Sequence, residues 1–319
     1  MPRCVRRSRV PGITTIDAAP HRNMNFSLGV AAQHVLPQHV LTAWVNRLTR
    51  CRTPWVKNLL IRNFCGMYHV NLAEAAQPDV TSYPTFNAFF TRALRSGTRP
   101  VDAASEALVS PVDGYISQIG RIREGSLVQA KDREFTVAAL LGGSASDAAR
   151  FANGSFATLY LAPHNYHRIH MPCAARLTHM RYVPGRLFSV NEAGVAGIDQ
   201  LFARNERLVC SFDAMGQIIV CLVGALFVSS METTWHGPVT PARQRHVTDF
   251  DYSDPTATRE FVKGEEMGRF NMGSTVILLF EAGHVEWDAG LGLGSEVRVG
   301  RRIGTLLQPP MSNVDCRMS

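Results

Sequence analysis

Three short stretches of the chain hold side chains able to do chemistry. The first is Ser110-Pro111-Val112-Asp113-Gly114. Its Asp-Gly pair, between two apolar runs, makes a tight turn, so Asp113 is either a turn former or a working carboxylate. The second is Pro163-His164-Asn165-Tyr166-His167-Arg168-Ile169-His170-Met171-Pro172, with three histidines and an arginine close together. Imidazole titrates near neutrality, so a general acid or base is one reading. A metal site with Cys173 as a further ligand is another, but its His spacing suits a helix face and the flanking prolines oppose a helix. A purely structural histidine pair is the third. The last stretch runs from Gly264 to Thr275 and ends in Met272-Gly273-Ser274-Thr275, ahead of an apolar run. Gly-Ser-Thr at a strand edge can be a plain turn. It can also be a strained Gly-Ser peptide whose hydroxyl attacks the preceding carbonyl, with glycine at 273 letting the backbone bend and leaving that carbonyl uncrowded. Together the stretches supply a serine, a histidine and an aspartate, enough for an activated serine with its base and orienter. There is no Gly-x-Ser-x-Gly elbow, so an α/β-hydrolase is not supported.

The elements that must position these residues fall into two textures. Between Phe26 and Ala73 there is no acidic residue, while Arg47, Arg50, Arg52, Lys57 and Arg62 are present. Trp44, Val45 and Leu48, then Val56, Leu59, Leu60, Phe64 and Met67, recur at helical spacing, and Pro37 and Pro54 stand where helices start. The pattern predicts two or three short basic amphipathic helices. They either lie in a membrane interface or cap the domain's own core. Residues 71–100 continue as helix and loop. From about residue 105, β-rich runs at Ala107–Val109, 115–119, 157–161, Gln217–Val223 and Thr275–Phe280 alternate with Gly and Pro turns. Residues 136–141 and 193–203 read as short helices, and 290–307 as glycine-punctuated strand. The fold class is α+β: a mainly antiparallel β-sheet catalytic domain over 101–319, preceded by an amphipathic helical region over 26–100.

A chain of 319 residues can bury a proper core as one large domain or two smaller ones. The net charge of +7 suits an anionic partner without choosing among nucleic acid, membrane and substrate. The seven cysteines are scattered, odd in number and without a CxxC pair, which argues against a disulfide framework or a cysteine-rich zinc site and for a reducing compartment. No apolar run is long enough for a transmembrane helix. Residues 1–25 are read as a disordered extension, or as sequence upstream of a start at Met24. The five arginines against one acid in the first 23 residues leave a mitochondrial transit peptide as the alternative.

With these residues in view, the chain resembles the phosphatidylserine decarboxylase family of the bacterial and mitochondrial type, from about Met24 to the C-terminus. The resemblance is carried by residues 83–100, Asp113-Gly114, Tyr166-His167-Arg168 with His170 and Pro172, and Tyr182-Val183-Pro184-Gly185. It extends through Leu201-Phe202-Ala203-Arg204-Asn205-Glu206-Arg207, Val223-Gly224-Ala225 and residues 263–275. The family's Leu-Gly-Ser-Thr cleavage motif reads Met272-Gly273-Ser274-Thr275 here, a change that keeps an apolar side chain. Two other positions depart from the pattern: Asn165 stands where many members have Asp, and Val228-Ser229-Ser230 stands for Val-Gly-Ser.

The resemblance implies self-cleavage at Gly273–Ser274 by a triad of Asp113, His170 and Ser274. The products are a β chain of residues 1–273 and an α chain of residues 274–319, held as a heterodimer, with higher assembly left open. Ser274 becomes a covalent pyruvoyl group, the only cofactor, and no metal is expected. That group forms a Schiff base with phosphatidylserine, CO2 leaves, and His167 supplies the proton that yields phosphatidylethanolamine. The expected partner is phosphatidylserine in an anionic membrane, with no nucleic acid. The expected place is the cytoplasmic face of the cell membrane as a peripheral protein, or the mitochondrial inner membrane if the first residues are a transit peptide. The alternatives are a pyruvoyl decarboxylase of a soluble amino acid, a non-catalytic lipid-binding homologue, and a serine hydrolase that leaves the chain uncut.

Overall fold

The structure is a computed structural model and describes residues 33–130, 133–228, 230–240, 245–254 and 259–307. The expectations for residues 1–25 lie outside these, as does Ser229. Helix α1, Gln38–Thr49, starts after Pro37, and α2, Pro54–Tyr68, takes proline at its first position, where the missing N–H is least needed. A five-residue helix, α3, Phe86–Phe90, follows; the Thr85 hydroxyl caps it by accepting from the Ala88 N–H. Of the two or three basic helices expected, α1 and α2 are present among the described residues.

The β domain opens with β1 (Ala107–Val109), β2 (Gly114–Arg121), β3 (Ser126–Ala130), β4 (Arg133–Thr136), β5 (Ser155–Tyr160) and β6 (Arg168–His170). Next come β7 (Ala175–Val183), β8 (Arg207–Asp213), β9 (Gln217–Val223), β10 (Ser230–Thr233), β11 (Gly237–Pro238) and β12 (Thr248–Asp251). It closes with β13 (Arg259–Phe261), β14 (Glu266–Asn271), β15 (Thr275–Phe280), β16 (Val285–Trp287), β17 (Glu296–Val297) and β18 (Arg302–Leu306). A nine-stranded sheet runs β12-β7-β8-β9-β15-β5-β2-β17, with β13 also on β7. A second sheet runs β11-β10-β14-β6, and a third β1-β18-β16. All the pairings between these strands are antiparallel among the described residues. The histidine stretch is therefore loop and strand, as its prolines required. The single helix expected over 193–203 is two, Glu192–Gly197 and Leu201–Arg204, with Gln200 in a left-handed conformation between them.

Strand β15 lies at the centre because all six of its residues are apolar or uncharged and all are buried, so it needs cover on both faces and on both edges. It pairs with β5 on one side and β9 on the other over its whole length. The main core lies on this sheet. A separate small core joins Ile61 of α2 to Tyr83, Phe86, Phe89 and Phe90, with Phe64 and Met272 packed against it.

Helix α1 is amphipathic the wrong way round for a core helix. Its buried residues are Gln38, Thr42 and Thr49, while Val40, Trp44 and Leu48, four residues apart on one face, are exposed. Polar side chains do the docking: Gln38 Oε1 accepts from the Leu187 N–H at 2.9 Å, and Thr42 Oγ1 from the Phe227 N–H at 3.3 Å. On α2, Trp55, Leu59 and Met67 are exposed as well. No helix among the described residues is long and apolar enough to cross a membrane.

Candidate active site

Ser274 stands one residue ahead of β15 and is fully buried. Its carbonyl accepts from the Leu161 N–H at 2.8 Å, and its hydroxyl donates to the Val223 carbonyl. The next residue, Thr275, is paired on both sides, to Tyr160 and to Val223. The central sheet thus anchors everything downstream of the Gly273–Ser274 bond. Gly114 brings β2 into the same corner. A Cβ there would lie 2.2 Å from the Tyr160 carbonyl oxygen, so only glycine lets β2 approach β5 with Asp113 at its head. Gly114 is needed for this close approach and not for a left-handed turn, since its φ is not positive.

Upstream of the bond the backbone is strained, but not where the sequence suggested. Gly273 is not left-handed; Met272 is, at φ 82°. A side chain in that region costs on the order of 1–3 kcal/mol and persists only where the surroundings hold it. Gly273 is required for another reason. The His167 imidazole lies on it, and a Cβ at 273 would come within 2.5 Å of Cε1 and 3.1 Å of Nδ1.

His167 is almost fully buried and stacks on Phe90, ring centroids 4.1 Å apart at 17°. Its Nε2 is 3.1 Å from the Pro163 carbonyl oxygen, which can only accept, so the ring proton belongs on Nε2. Among the described residues Nδ1, a bare and buried acceptor, has no hydrogen-bond partner. Burial, aided by the Arg92 cation, pushes the imidazole down to about 3, so the ring is neutral. Arg92 is itself buried, and its Nη2 donates to the His164 carbonyl at 3.1 Å, steadying the loop that orients the ring.

His170 is held by the same logic with the nitrogens exchanged. Nδ1 is 2.8 Å from the Gly264 carbonyl oxygen and carries the proton, while Nε2, 3.0 Å away, accepts from the Tyr166 hydroxyl. Burial lowers its affinity for a second proton. Asp113 is close in the chain's path, since the His170 N–H donates to the Pro111 carbonyl at 2.8 Å. Its carboxylate, however, is taken by Arg99, whose Nη2 lies 2.5 Å and Nε 3.0 Å away, and by the Val299 N–H at 2.9 Å. Glu74 shares the same guanidinium at 2.6 Å. Asp113, His170 and Ser274 therefore share one corner of the fold by backbone contacts, but their side chains are hydrogen-bonded elsewhere. The histidine rings point to separate carbonyls and do not converge on a common centre.

Residue reasoning missed Asn87, Phe90, Arg92 and Arg99. They lie in the helix-and-loop stretch over 71–100 that also carries the family resemblance, and no local pattern marks which aromatic will meet a histidine far along the chain. The Phe89-Phe90 pair, too apolar for a loop, was the one available signal. As a unit, the site combines a buried hydroxyl, a bare imidazole nitrogen and a strained backbone around one Gly-Ser bond. Such a set suits acyl transfer within the chain itself.

A family profile described as phosphatidylserine decarboxylase matches residues 86–305, and a second, described as PSD, matches residues 28–69. The chain is 52% identical over 281 residues to a phosphatidylserine decarboxylase proenzyme of Methylococcus capsulatus, covering 88% of this chain and 97% of that one. It is 48% identical over 283 residues to the one of Azotobacter vinelandii, covering 88% and 99%, and 46% identical over 287 residues to one of Pseudomonas putida, covering 89% and 100%. With a profile spanning most of the β domain and relatives matching nearly end to end, the chain belongs to the phosphatidylserine decarboxylase family.

Proposed function

We propose that the protein is a self-processing decarboxylase that converts phosphatidylserine in an anionic membrane into phosphatidylethanolamine and CO2. The observation that carries this reading is the Met272-Gly273-Ser274-Thr275 segment, strained at Met272, buried at Ser274 and overlain at Gly273 by a neutral imidazole.

In self-cleavage, Ser274 Oγ attacks the Gly273 carbonyl carbon. The bond to the Ser274 nitrogen breaks, that nitrogen gains a proton, and an ester forms. Loss of the Ser274 Cα proton then expels Gly273 as a carboxylate. Water hydrolyses the resulting enamine, releasing ammonia and leaving a pyruvoyl group on residue 274. His170 is the base for the hydroxyl and Asp113 its orienting carboxylate. In the uncut chain this requires Tyr166 to release His170 Nε2, the Gly264 carbonyl to release Nδ1–H, and Arg99 to share Asp113.

The surroundings fit such a group: they hold an orphaned buried nitrogen, and a cradle at Gly273 that any Cβ would fill. Once formed, the ketone supplies an electron sink for the charge left when CO2 departs. His167, whose bare Nδ1 overlies Gly273, is the group that relays a proton to the carbon that lost its carboxylate. Helix α1, with its apolar side outward, and the exposed Trp55, Leu59 and Met67 of α2 dock the protein peripherally on the cytoplasmic face of the membrane.

Intact mass under denaturing conditions tests the reading. Two chains split at Gly273–Ser274 are expected, the smaller having 319 − 273 = 46 residues, with CO2 released from phosphatidylserine vesicles. His170→Ala should stay as one chain, while His167→Ala should be cut, more slowly than the wild type, yet fail to decarboxylate. A wild-type chain that stays whole defeats the proposal.

A further inference from the structure

The bond between Gly273 and Ser274 lies on a seam between two cores. Downstream, Ser274 and Thr275 are fixed by the ladder of the nine-stranded sheet. Upstream, each of the three preceding residues is gripped through α3. Asn271 Oδ1 accepts from Asn87 Nδ2 at 2.8 Å, while its own amide donates to Ser230 Oγ at 3.1 Å in the neighbouring strand. The Met272 side chain packs against the cluster of Phe86, Phe89, Phe90 and Ile61. Gly273 lies beneath His167, whose other face is stacked on Phe90.

Met272 makes the arrangement informative. Its backbone is left-handed, a conformation that glycine would adopt without strain. A large apolar side chain stands there all the same, and it packs against the α3 cluster. The side chain holds the strained turn in place, and the cluster floor, Ile61 with Phe64, belongs to α2.

We infer that α3 is a positioning element for self-cleavage: it grips residues 271–273 and presents the Gly273 carbonyl to the Ser274 hydroxyl, with Asn87, Phe90 and Met272 as its positioning residues. The inference rests on the self-cleavage reading above. It separates two jobs that the sequence runs together. The sheet holds the nucleophile, and the N-terminal helical layer holds the bond to be attacked.

The test is the rate of cutting in chains made by cell-free synthesis, quenched at intervals and resolved by mass, with the folded fraction followed by limited proteolysis. Met272→Leu keeps the plug and should cut within about twofold of wild type. Met272→Gly relieves the strain but removes the plug, and should cut about tenfold slower or worse; Asn87→Ala and Phe90→Leu should slow cutting in the same direction. Hydroxylamine cleaves an ester but not an amide, so it should fail to speed cutting in the slow variants if the hydroxyl attack itself is impaired. A lesion that is only structural would lower the folded fraction and leave the rate within that fraction unchanged. Should Met272→Gly cut as fast as wild type, or Asn87→Ala and Phe90→Leu both do so, the grip has no part in cleavage. Should the wild-type chain itself remain whole while folded, the self-cleavage reading falls, and the inference with it.

Discussion

Burial holds the His167 imidazole neutral, and this has a consequence for stability. The unfolded ring takes a proton below its ordinary value of 6.5, whereas the folded ring refuses one until about 3. Between these values the unfolded state binds more protons, so stability is full above pH 6.5 and is lost as the pH falls. His170 is shifted in the same direction and adds to the effect. Urea unfolding of the Ser274→Ala chain should show a loss of about 2 kcal/mol from His167 alone between pH 7 and pH 5. His167→Gln should flatten that dependence. An unchanged slope in this variant would mean that the ring is not buried as described. At the same scale, the Gly273 requirement is steric, and any side chain there must displace the His167 ring.

Helices α1 and α2 are read differently once their partners are known. A periodic apolar stripe ordinarily faces a core. Here the stripe on α1 faces out, because glutamine and threonine side chains satisfy backbone N–H groups of the β domain on the other face. Trp44 and Trp55 are 70% and 71% exposed, so replacing them leaves the fold's packing intact. Trp44→Asp with Trp55→Asp should weaken binding to phosphatidylserine vesicles by about tenfold or more, with no change in melting midpoint. Vesicle sedimentation checks this. Undiminished binding would place the docking surface elsewhere, and a wild-type chain that ignores the vesicles would reopen the reading in which the substrate is a soluble amino acid.

At the scale of the whole molecule, the proposed cut falls within a continuous architecture. Residues 274–319 contribute β15 and β17 to the nine-stranded sheet and β16 and β18 to the sheet that contains β1. Strand β15 alone is paired over six residues on each side, with both neighbours upstream of the cut. The two products should therefore elute together on gel filtration and separate only in denaturant. Release of the small chain under native conditions would contradict the central place of β15. The charge of the molecule fits the same picture, since exposed Arg47 lies on α1, exposed Arg62 on α2 and exposed Arg52 on the link between them.

Much of this was legible in the residues alone. Ala107–Val109, Gln217–Val223 and Thr275–Phe280 are strands at the predicted bounds, because a run of buried β-formers between turn residues has few other ways to fold. Pro37 and Pro54 mark the helix starts for an equally local reason: proline fixes φ and lacks an N–H. The serine, the histidines and the aspartate could be named because their chemistry is intrinsic to their types. Which histidine would touch Gly273, that Arg99 would occupy Asp113, that the strain would sit on Met272 and not on its glycine neighbour, and that α1 would turn its polar side inward were decided by tertiary structure alone. Each depends on contacts between residues far apart in the chain, and neither periodicity nor local propensity carries information about such partners.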